Sequence, residues 1–476
     1  MNIVLANPKR SPFTGEQITA PHLGLLAMAA AVREGTFADT KGARIDVFDD
    51  QLLHLLDEAY APAGFLDQLA EPPDIVGVQA VTCNLSSAAD LLKRVKARYP
   101  NALTVMGGAA MASSDMDTEV VARGLADIAV RGEGEVPFSA LVYCYGTKGR
   151  AGLNKVPGIA YLDEDGKVAK NPAPSSIRNL DSLPLPARDL ANFPIYHRVS
   201  RGRCGNILIT RGCSYACTYC YSKHHWGRGQ RRSSIQRVVE EVRILVEDHG
   251  LDRVRFEDDD FTENAAWVKE ICRHFEETNL SRSMEWEVKG RPEHMNPELL
   301  AVMRRAGCFR IMMGVESLEP ERLKSLDRPV QVTMIEDGLK ALRNAGIGCQ
   351  ATMILGIPGE SDAAMRGTLE WLQARLKGAH DIVSPCFYVP FFEQIDAAMK
   401  EANPYKIVVQ DRDYYSGHLP ITSSDACSFE ELVALYDHMT PDRRGMYPLI
   451  AHLAGSNVVR ERLRGIRKDS QDAPSC

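Results

Sequence analysis

The chain has 476 residues, of which 45% are hydrophobic and 25% are charged, and its formal net charge is −7. This length predicts about two to four globular domains, and no apolar stretch reaches the roughly 18–20 residues that a membrane-spanning helix needs. The negative charge, without a basic stripe interleaved with aromatic residues, argues against a general nucleic-acid-binding protein.

The cysteine content and the N-terminus indicate a reducing compartment. The chain contains 12 cysteines, and it begins without the basic start and apolar run of a secretion signal. The thiols are therefore expected to stay reduced, as in cytoplasmic proteins. The basic stretch 458–476 is interpreted as a solvated helix end with a frayed tail, and RNA contact is the alternative.

The first 150 residues alternate short buried strands with helices. The predicted strands are "NIVLANP", "ARIDVFD", "DIVGVQAV", "LTVMGG" and "DIAVRG", and helices such as "HLGLLAMAAAVRE" lie between them. This alternation predicts a doubly wound parallel sheet, a Rossmann-like domain of the α/β class. Ligands bind such sheets at the carboxyl ends of the strands. The segments expected at that edge are "QAVTCNLSS", "MGGAAMASS" and "RGEGEVPF".

Residues 151–200 are predicted to form a hairpin and a linker. The segment "GIAYLDEDGKVAKNP" is typical of a hairpin that turns at Asp165 and Gly166. Pro184 and Pro186 interrupt regular structure in the following stretch, which indicates a linker.

A second strand–helix series occupies residues 201–390. Its strands are "NILIT", "RVRFED", "EWEVKGR", "RIMMGVES", "CQATMILGIPGE" and "IVSPCFYVP". Six such units predict a partial (β/α)6 barrel, in which ligands bind at the C-terminal ends of the strands. The pattern weakens after Pro390, and residues 391–476 are assigned to a small C-terminal region of mixed structure.

Three cysteines lie close together in the loop after the first barrel strand. Cys213, Cys217 and Cys220 fall within "RGCSYACTYCYS". A [4Fe–4S] cluster is usually held by four thiolates, so three protein ligands would leave one iron open to a small molecule. The alternative is a zinc site whose fourth ligand is His224 or His225.

The cysteine loop resembles the C-x3-C-x2-C signature of radical S-adenosylmethionine (SAM) enzymes. In that family the open iron binds SAM, and an electron from the reduced cluster cleaves it to a 5′-deoxyadenosyl radical. The segments "FEDDDFT", "GVES" and "MILGIPGE" resemble the family's SAM-facing stretches in the same order. The positions that this resemblance assigns to SAM binding are Tyr219, Asp258, Asp259, Glu316, Ser317 and Gly356. For Asp258, Asp259 and Asp260 the alternative is a solvated turn that opens a helix.

The first domain resembles the cobalamin-binding domain that precedes the barrel in one radical SAM subfamily. The positions assigned to cobalamin by this resemblance are Thr82, Asn84, Ser86, Gly107, Gly108 and Glu133. The D-x-H-x-x-G motif, whose histidine ligates cobalt in many cobalamin proteins, is absent, and His22 and His54 fall outside these loops. We therefore expect cobalamin to bind without a histidine below cobalt. A degenerate domain that has lost cobalamin is the alternative.

Several further residues have two interpretations. Glu133 and Glu135 flank a helix start, so they either complement its dipole or belong to a ligand loop. His224, His225 and Trp226 either shield the cluster or form ordinary surface. Three cysteines are read either as hydrogen donors to a substrate radical or as buried structural thiols; they are Cys349, Cys386 and Cys427.

The resemblance implies a cobalamin-dependent radical SAM enzyme, with methyl transfer to an unactivated carbon as the expected reaction. The expected partners are a small-molecule or peptide substrate and an electron donor such as flavodoxin or ferredoxin. A radical rearrangement, cyclisation or oxidation is the first alternative. A transfer RNA methylthiotransferase would need a second three-cysteine cluster, and only Cys83 and Cys144 lie in the first domain. A non-catalytic sensor is a further alternative, but an open iron argues against it.

Overall fold

The computed structural model describes most of the chain. The described residues are 1–9, 20–50, 64–112, 115–200, 202–390, 401, 404–409, 415 and 418–439. His54 and the basic stretch 458–476 lie outside these ranges, so their interpretations stay predictions. Among the described helices, none has both the length and the apolar character needed to cross a membrane.

The first domain is built on a seven-stranded sheet of order β2-β1-β3-β4-β5-β6-β7. Its strands are β1 (Asn2–Asn7), β2 (Arg44–Asp49), β3 (Ile75–Gln79), β4 (Leu103–Gly107), β5 (Ile128–Val130), β6 (Ile159–Leu162) and β7 (Val168–Lys170). The helices between them are α1 (Leu23–Glu34), α2 (Leu85–Arg98), α3 (Met116–Ala122) and α4 (Glu135–Lys148). Strands β1 to β5 are parallel, and apolar clusters cover both faces of the sheet. The predicted doubly wound domain is thus confirmed.

The hairpin belongs to the first domain and not to the linker. Strands β6 and β7 pair antiparallel, and β6 also pairs with β5. The buried carboxylate of Asp117 fastens this edge, because it lies 2.8 Å from Nε of Arg131 and 2.9 Å from Nζ of Lys170. The sequence missed this association because a β-hairpin pattern does not reveal which sheet it joins.

The second domain is a curved sheet of six parallel strands in the order β15-β14-β13-β12-β11-β8. These strands are β8 (Cys204–Ile207), β11 (Arg253–Phe256), β12 (Glu285–Gly290), β13 (Cys308–Glu316), β14 (Gly348–Leu355) and β15 (Ile382–Phe387). A separate two-stranded ribbon pairs β9 (Thr210–Arg211) with β10 (Arg231–Arg232). The six strands agree with the predicted partial barrel.

Helices separate the barrel strands and bury one face against them. They are α5 (Phe193–Ser200), α6 (Ser222–His225), α7 (Ile235–Arg243), α8 (Ala265–Glu277), α9 (Leu280–Ser283), α10 (Pro297–Arg305), α11 (Pro320–Ser325), α12 (Val332–Ala345) and α13 (Asp362–Arg375). Trp286 is fully buried between sheet and helices, and its indole N–H donates to the carbonyl of Ala306 at 2.7 Å. Burial of the apolar helix faces holds these layers together.

The linker is fixed to both domains. Arg188 forms a buried ion pair with Glu241 of α7 at 2.6 Å, and Arg237 donates to the carbonyls of Leu183 and Pro184 at 2.5 and 2.9 Å. The backbone N–H of Ala187 donates to the carbonyl of Leu26 in α1. The linker is therefore part of the contact between the two domains.

The described part of the C-terminal region joins the barrel core. It contains β16 (Tyr405–Ile407), β17 (Thr422–Ser424) and α14 (Phe429–Met439), and β16 pairs antiparallel with β17. Apolar side chains from this part, among them Leu432 and Leu435, are buried in the same cluster as the barrel strands. The mixed structure predicted for this region is therefore present in its described residues.

Candidate active site

A cavity of about 620 Å³ lies between the two domains. The first domain contributes the carboxyl ends of β3, β4 and β5 and the starts of α1 and α4, and the barrel contributes the region of the cysteine loop. Lining residues from the linker include Leu183 and Pro184. The carboxyl edge of the first sheet, where such folds bind ligands, thus faces the segments that flank the cysteine loop.

The inner part of the cavity is an apolar slot. Leu5, Val105 and Phe138 line it from the sheet and from α4. Gly77 of β3 faces the same space, and a Cβ added there would lie 2.8 Å from a methyl group of Leu5. The slot suits an apolar group, and even a small side chain at residue 77 would collide with Leu5.

Four of the six positions assigned to cobalamin line this cavity. They are Thr82, Gly107, Gly108 and Glu133. Gly108 has φ of 106°, and a Cβ there would lie 2.6 Å from the carbonyl oxygen of Ala80. The backbone of residue 108 passes so close to the end of the neighbouring strand that only glycine fits there.

Asn84 and Ser86 do not line the cavity, and cobalamin contact by either one stays a prediction. The amide of Asn84 is fully buried; its oxygen accepts from the backbone N–H of Val81 at 2.7 Å, and its nitrogen donates to Gln79 at 3.2 Å. Ser86 is exposed on the first turn of α2. The polar side chain of Asn84 therefore stabilises the turn after β3, which residue type alone did not reveal.

Two histidines line the cavity from opposite domains. His22 immediately precedes α1 in the first domain, and His225 ends α6 in the barrel. The sequence placed His22 outside the ligand loops, and the structure corrects this because the start of α1 lies at the same sheet edge. Burial lowers the pKa of His225 to about 4, so its imidazole is neutral at physiological pH.

Two acidic residues hold the two ends of the cysteine loop. Oδ1 of Asp258 accepts from the backbone N–H of Thr210 at 2.5 Å, and Oδ2 of Asp259 accepts from the hydroxyl of Ser222 at 2.5 Å. Thr210 precedes the three cysteines and Ser222 follows them. In the structure these aspartates therefore anchor the loop; direct SAM contact by either one stays a prediction.

The solvated-turn interpretation of the acidic stretch is wrong. Asp258 and Asp260 have no exposed surface, and burial raises the pKa of Asp258 to about 7. Asp260 accepts from the hydroxyl of Thr262 at 2.9 Å and lies 3.1 Å from Nδ1 of His294. Buried carboxylates with specific partners are structural or functional elements and not surface turns.

The three cysteines of the loop are not gathered around a single ion. A tetrahedral zinc ion binds each thiolate sulfur at about 2.3 Å, so two sulfurs on the same zinc lie no more than roughly 4.6 Å apart. The sulfurs of Cys213, Cys217 and Cys220 do not all lie within such a distance of one another. Among the described residues, no histidine joins them in such a set. Nη1 of Arg291 lies 3.6 Å from the sulfur of Cys217, so a cation adjoins the loop.

A buried network links Tyr219 in the cysteine loop to the end of β13. The hydroxyl of Tyr219 donates to Oε1 of Glu316 at 3.0 Å and accepts from Arg328 at 3.2 Å. Glu316 has φ of 65°, a strained conformation for a non-glycine residue, and burial raises its pKa. Two predicted SAM-binding residues are thus brought together, and Arg328 was missed because no local pattern marks it.

Ser317 and Gly356 have partners within the protein. The hydroxyl of Ser317 donates to Oε1 of Glu360 at 2.6 Å, and burial raises the pKa of Glu360 to about 8. A Cβ at Gly356 would lie 3.1 Å from Leu432 of α14. The structure thus shows Ser317 positioning Glu360 and Gly356 accommodating α14, and SAM contact by either residue stays a prediction.

Buried charges from both domains meet at the cavity rim. Arg211 of β9 pairs with Glu133 at 2.5 Å and with Glu135, and Arg231 of β10 pairs with Glu133 at 2.7 Å. The guanidinium of Arg211 lies over the ring of Trp226, 5.1 Å from its centroid. Neither interpretation of Glu133 and Glu135 anticipated this, because their partners are far away in the sequence.

The three cysteines considered as hydrogen donors lie in the barrel core or close to it. Cys349 and Cys427 are 2% exposed, and burial raises the pKa of Cys386 to about 12. None of the three lines the cavity. These positions favour the structural interpretation of the thiols.

Two family profiles match the chain. Residues 19–142 match the B12 binding domain, and residues 207–372 match the Radical SAM superfamily. The first match covers the predicted cobalamin-binding domain and the second covers the cysteine loop and most of the barrel.

Similar proteins include methyltransferases and a cyclase. An uncharacterized methyltransferase of Pyrococcus horikoshii is 29% identical over 358 residues, which cover 74% of this chain and 73% of that protein. An anaerobic magnesium-protoporphyrin IX monomethyl ester cyclase of Cereibacter sphaeroides is 28% identical over 330 residues, 68% of this chain and 53% of the cyclase.

The fold also resembles a solved structure. The radical SAM methyltransferase TsrM from Kitasatospora setae, with cobalamin and a [4Fe-4S] cluster bound, has a TM-score of 0.62 and 18% identity. The match covers 79% of this chain and 70% of TsrM. At this identity the likeness confirms the fold, and function must be argued from the site.

The chain is a radical SAM enzyme that also carries a B12-binding domain. Its cofactors are a [4Fe–4S] cluster, SAM and cobalamin, as the sequence resemblance implied. The family, the fold class and the cofactors are therefore confirmed. The residues that hold each cofactor remain predictions.

We predict that replacing Cys213, Cys217 and Cys220 with alanine abolishes the iron–sulfur cluster. The thiolates are the expected ligands, so anaerobically reconstituted protein should lose its iron, its sulfide and the visible absorbance of the cluster. Cys272→Ala is the matched control, because this thiol is fully buried in α8. Full iron and sulfide content in the triple variant would contradict the assignment.

We predict that Glu316→Gln weakens SAM binding. Loss of a charged hydrogen-bond partner costs about 1.5–3 kcal/mol, which corresponds to about a ten- to a hundredfold lower affinity. Equilibrium binding to reconstituted protein measures the effect, and Glu321→Gln, on the exposed side of α11, is the control. SAM affinity equal to that of the wild type would rule out this role for Glu316.

Proposed function

We propose that the enzyme transfers a methyl group to an unactivated carbon of its substrate. When bound, the cluster and SAM supply the radical that removes a substrate hydrogen, and cobalamin carries the methyl group. The observation that carries the proposal is the cavity where the cobalamin-domain edge faces Arg211, Tyr221 and Trp226, which flank the cysteine loop. Methyltransferases among the similar proteins support the same reaction class.

The residues around the cysteine loop would hold the cluster and SAM. The three cysteines would ligate the cluster, while Asp258 and Asp259 keep the loop ends in place. Arg328 and Tyr219 converge on Glu316, and this buried network is the proposed SAM contact. A rigid loop keeps the reacting groups at a fixed distance and orientation. Positioning of this kind is the protein's main contribution to such chemistry.

The residues at the edge of the first domain would hold cobalamin. Thr82, Gly107 and Gly108 present short side chains or bare backbone to the cavity, so a large ring can approach closely. The apolar slot beside Gly77 would take the nucleotide tail away from cobalt. The structure offers His22 at the cavity wall, so coordination below cobalt needs a direct measurement.

The substrate is proposed to be a small molecule or a peptide. A TsrM structure contains its tryptophan substrate, and the barrel side of the present cavity carries Tyr221 and Trp226. Aromatic walls bind flat or apolar groups well. An electron donor of the flavodoxin or ferredoxin type is proposed to reduce the cluster.

A radical cyclisation or oxidation without methyl transfer is the second candidate. The anaerobic cyclase of Cereibacter sphaeroides matches 68% of this chain, so a relative with another named reaction shares sequence with most of it. The cavity itself fits both reactions, because both need a substrate between cobalamin and SAM.

We predict that turnover yields both 5′-deoxyadenosine and S-adenosylhomocysteine. Methyl transfer of this kind consumes SAM in two ways, as the radical source and as the methyl source, whereas a rearrangement yields no S-adenosylhomocysteine. Mass spectrometry of anaerobic reactions with candidate substrates measures both products. Formation of 5′-deoxyadenosine with an altered substrate and no S-adenosylhomocysteine would establish the second candidate instead.

We predict that cobalamin binds with its nucleotide tail in the apolar slot and without a histidine on cobalt. Electron paramagnetic resonance of the Co(II) form should then lack nitrogen splitting. Gly77→Val should lose cobalamin and keep its iron, because the added side chain would push against Leu5 and Phe138, which line the slot.

Two results would contradict the predicted binding mode. Nitrogen splitting that disappears in His22→Gln would show that His22 ligates cobalt. Cobalamin retained at wild-type stoichiometry in Gly77→Val would show that the tail lies elsewhere. Gly367→Val is the matched control, since nothing lies within 4 Å of a Cβ at this glycine of α13.

A further inference from the structure

Four charged side chains join the two cofactor-binding edges directly. Arg211 and Arg231 belong to the paired strands β9 and β10 of the second domain, and Glu133 and Glu135 lie at the start of α4 in the first. Nη1 of Arg211 lies 2.5 Å from Glu133, and its Nη2 contacts Glu135. Two carboxylates and two guanidinium groups leave no net charge in this contact.

The contact is buried, which makes its geometry specific. Arg211 is 7% exposed, and Glu133 and Glu135 are 7% and 5% exposed. Burial is the largest influence on the pKa of Glu135 and opposes ionisation, but Arg211 outweighs it and the pKa is lowered. A buried charge without its partner is strongly unfavourable, so the two domains can separate here only at high cost.

The same side chains are connected to the cysteine loop on both sides. Arg211 lies two residues before Cys213 in the sequence, and its guanidinium stacks over Trp226, which follows α6. Arg231 donates to the carbonyls of Ile177 in the linker and Trp226 at 2.6 and 3.3 Å. The segment that carries the cysteines is thereby tied to the rim of the cobalamin cavity.

We propose that Glu133, Glu135, Arg211 and Arg231 form an interdomain clamp that fixes the distance between the iron–sulfur cluster and cobalamin. These are positioning residues, since they act through the cysteine loop and the rim of the cavity. The inference rests on the proposed binding of cobalamin in this cavity. Both carboxylates are occupied by arginines, so the clamp accounts for Glu133 better than a direct cobalamin contact does.

A matched control separates positioning from general stabilisation. Glu287 of β12 also pairs with two arginines, Arg255 at 2.6 Å and Arg310, and it is 6% exposed. This triad lies entirely within the barrel sheet. Glu287→Gln should therefore lower thermal stability as Glu135→Gln does, but it does not touch the contact between the domains.

The experiment measures the magnetic interaction between the two cofactors. Full-length protein is loaded with cobalamin, reconstituted with its cluster and reduced, so that Co(II) and the cluster are both paramagnetic. The cluster accelerates the spin relaxation of Co(II), and this effect falls steeply with distance. Power saturation of the Co(II) signal is compared among wild type, Glu135→Gln, Arg211→Lys and Glu287→Gln, after iron and cobalamin have been quantified in each.

The clamp predicts that Glu135→Gln and Arg211→Lys keep both cofactors but saturate at lower microwave power than wild type, while Glu287→Gln behaves as wild type. Wild-type saturation in both clamp variants would overturn the inference, and so would an equal change in Glu287→Gln. Loss of a cofactor from both clamp variants would also overturn it, because the residues would then hold that cofactor. A wild-type protein that binds no cobalamin would instead contradict the proposed function.

Discussion

Anchoring of the cysteine loop by two aspartates, of which Asp258 is fully buried, is the constraint on which the site depends. Thr210 and Ser222 stand at the two ends of the loop, and Asp258 and Asp259 at the end of β11 bind them. A loop held only by its own backbone would sample many conformations, at an entropic cost to any ordered ligand set. Two short hydrogen bonds to one strand end remove that freedom before a cluster binds.

Burying a carboxylate costs free energy, and hydrogen bonds from neighbouring groups offset this cost. Burial raises the pKa of Asp258 to about 7, so its carboxylate depends on the hydrogen bond from Thr210. The same logic applies to Glu316, which Tyr219 and Arg328 accompany. Unsatisfied buried polar groups destabilise a fold, and Asp258, Asp259 and Glu316 each accept from a donor in another strand or loop.

Sequence reasoning identified what is local and missed what is distant. Strand and helix periodicity gave both α/β domains, and the cysteine spacing gave the family, because these signals lie within a few residues of each other. The partnership of Arg328 with Tyr219 spans 109 positions, and that of Arg211 with Glu133 spans 78. Asn84 shows a further difficulty. Its short polar side chain is typical of a ligand-binding loop, but its amide forms hydrogen bonds with Val81 and Gln79 inside the protein.

The distant contacts explain why two separate ligand-binding folds make one site. The cavity is lined jointly by the carboxyl edge of the first sheet, by the linker and by the segments that flank the cysteine loop. The linker sets this arrangement through Arg188 and Arg237, and the pairs between Arg211 and the α4 carboxylates complete it near the cysteines. Polar contacts require particular partners at particular distances, whereas apolar burial tolerates many arrangements. The buried charge pairs therefore specify how the two domains meet beside the cysteine loop, while apolar clusters form the core of each domain.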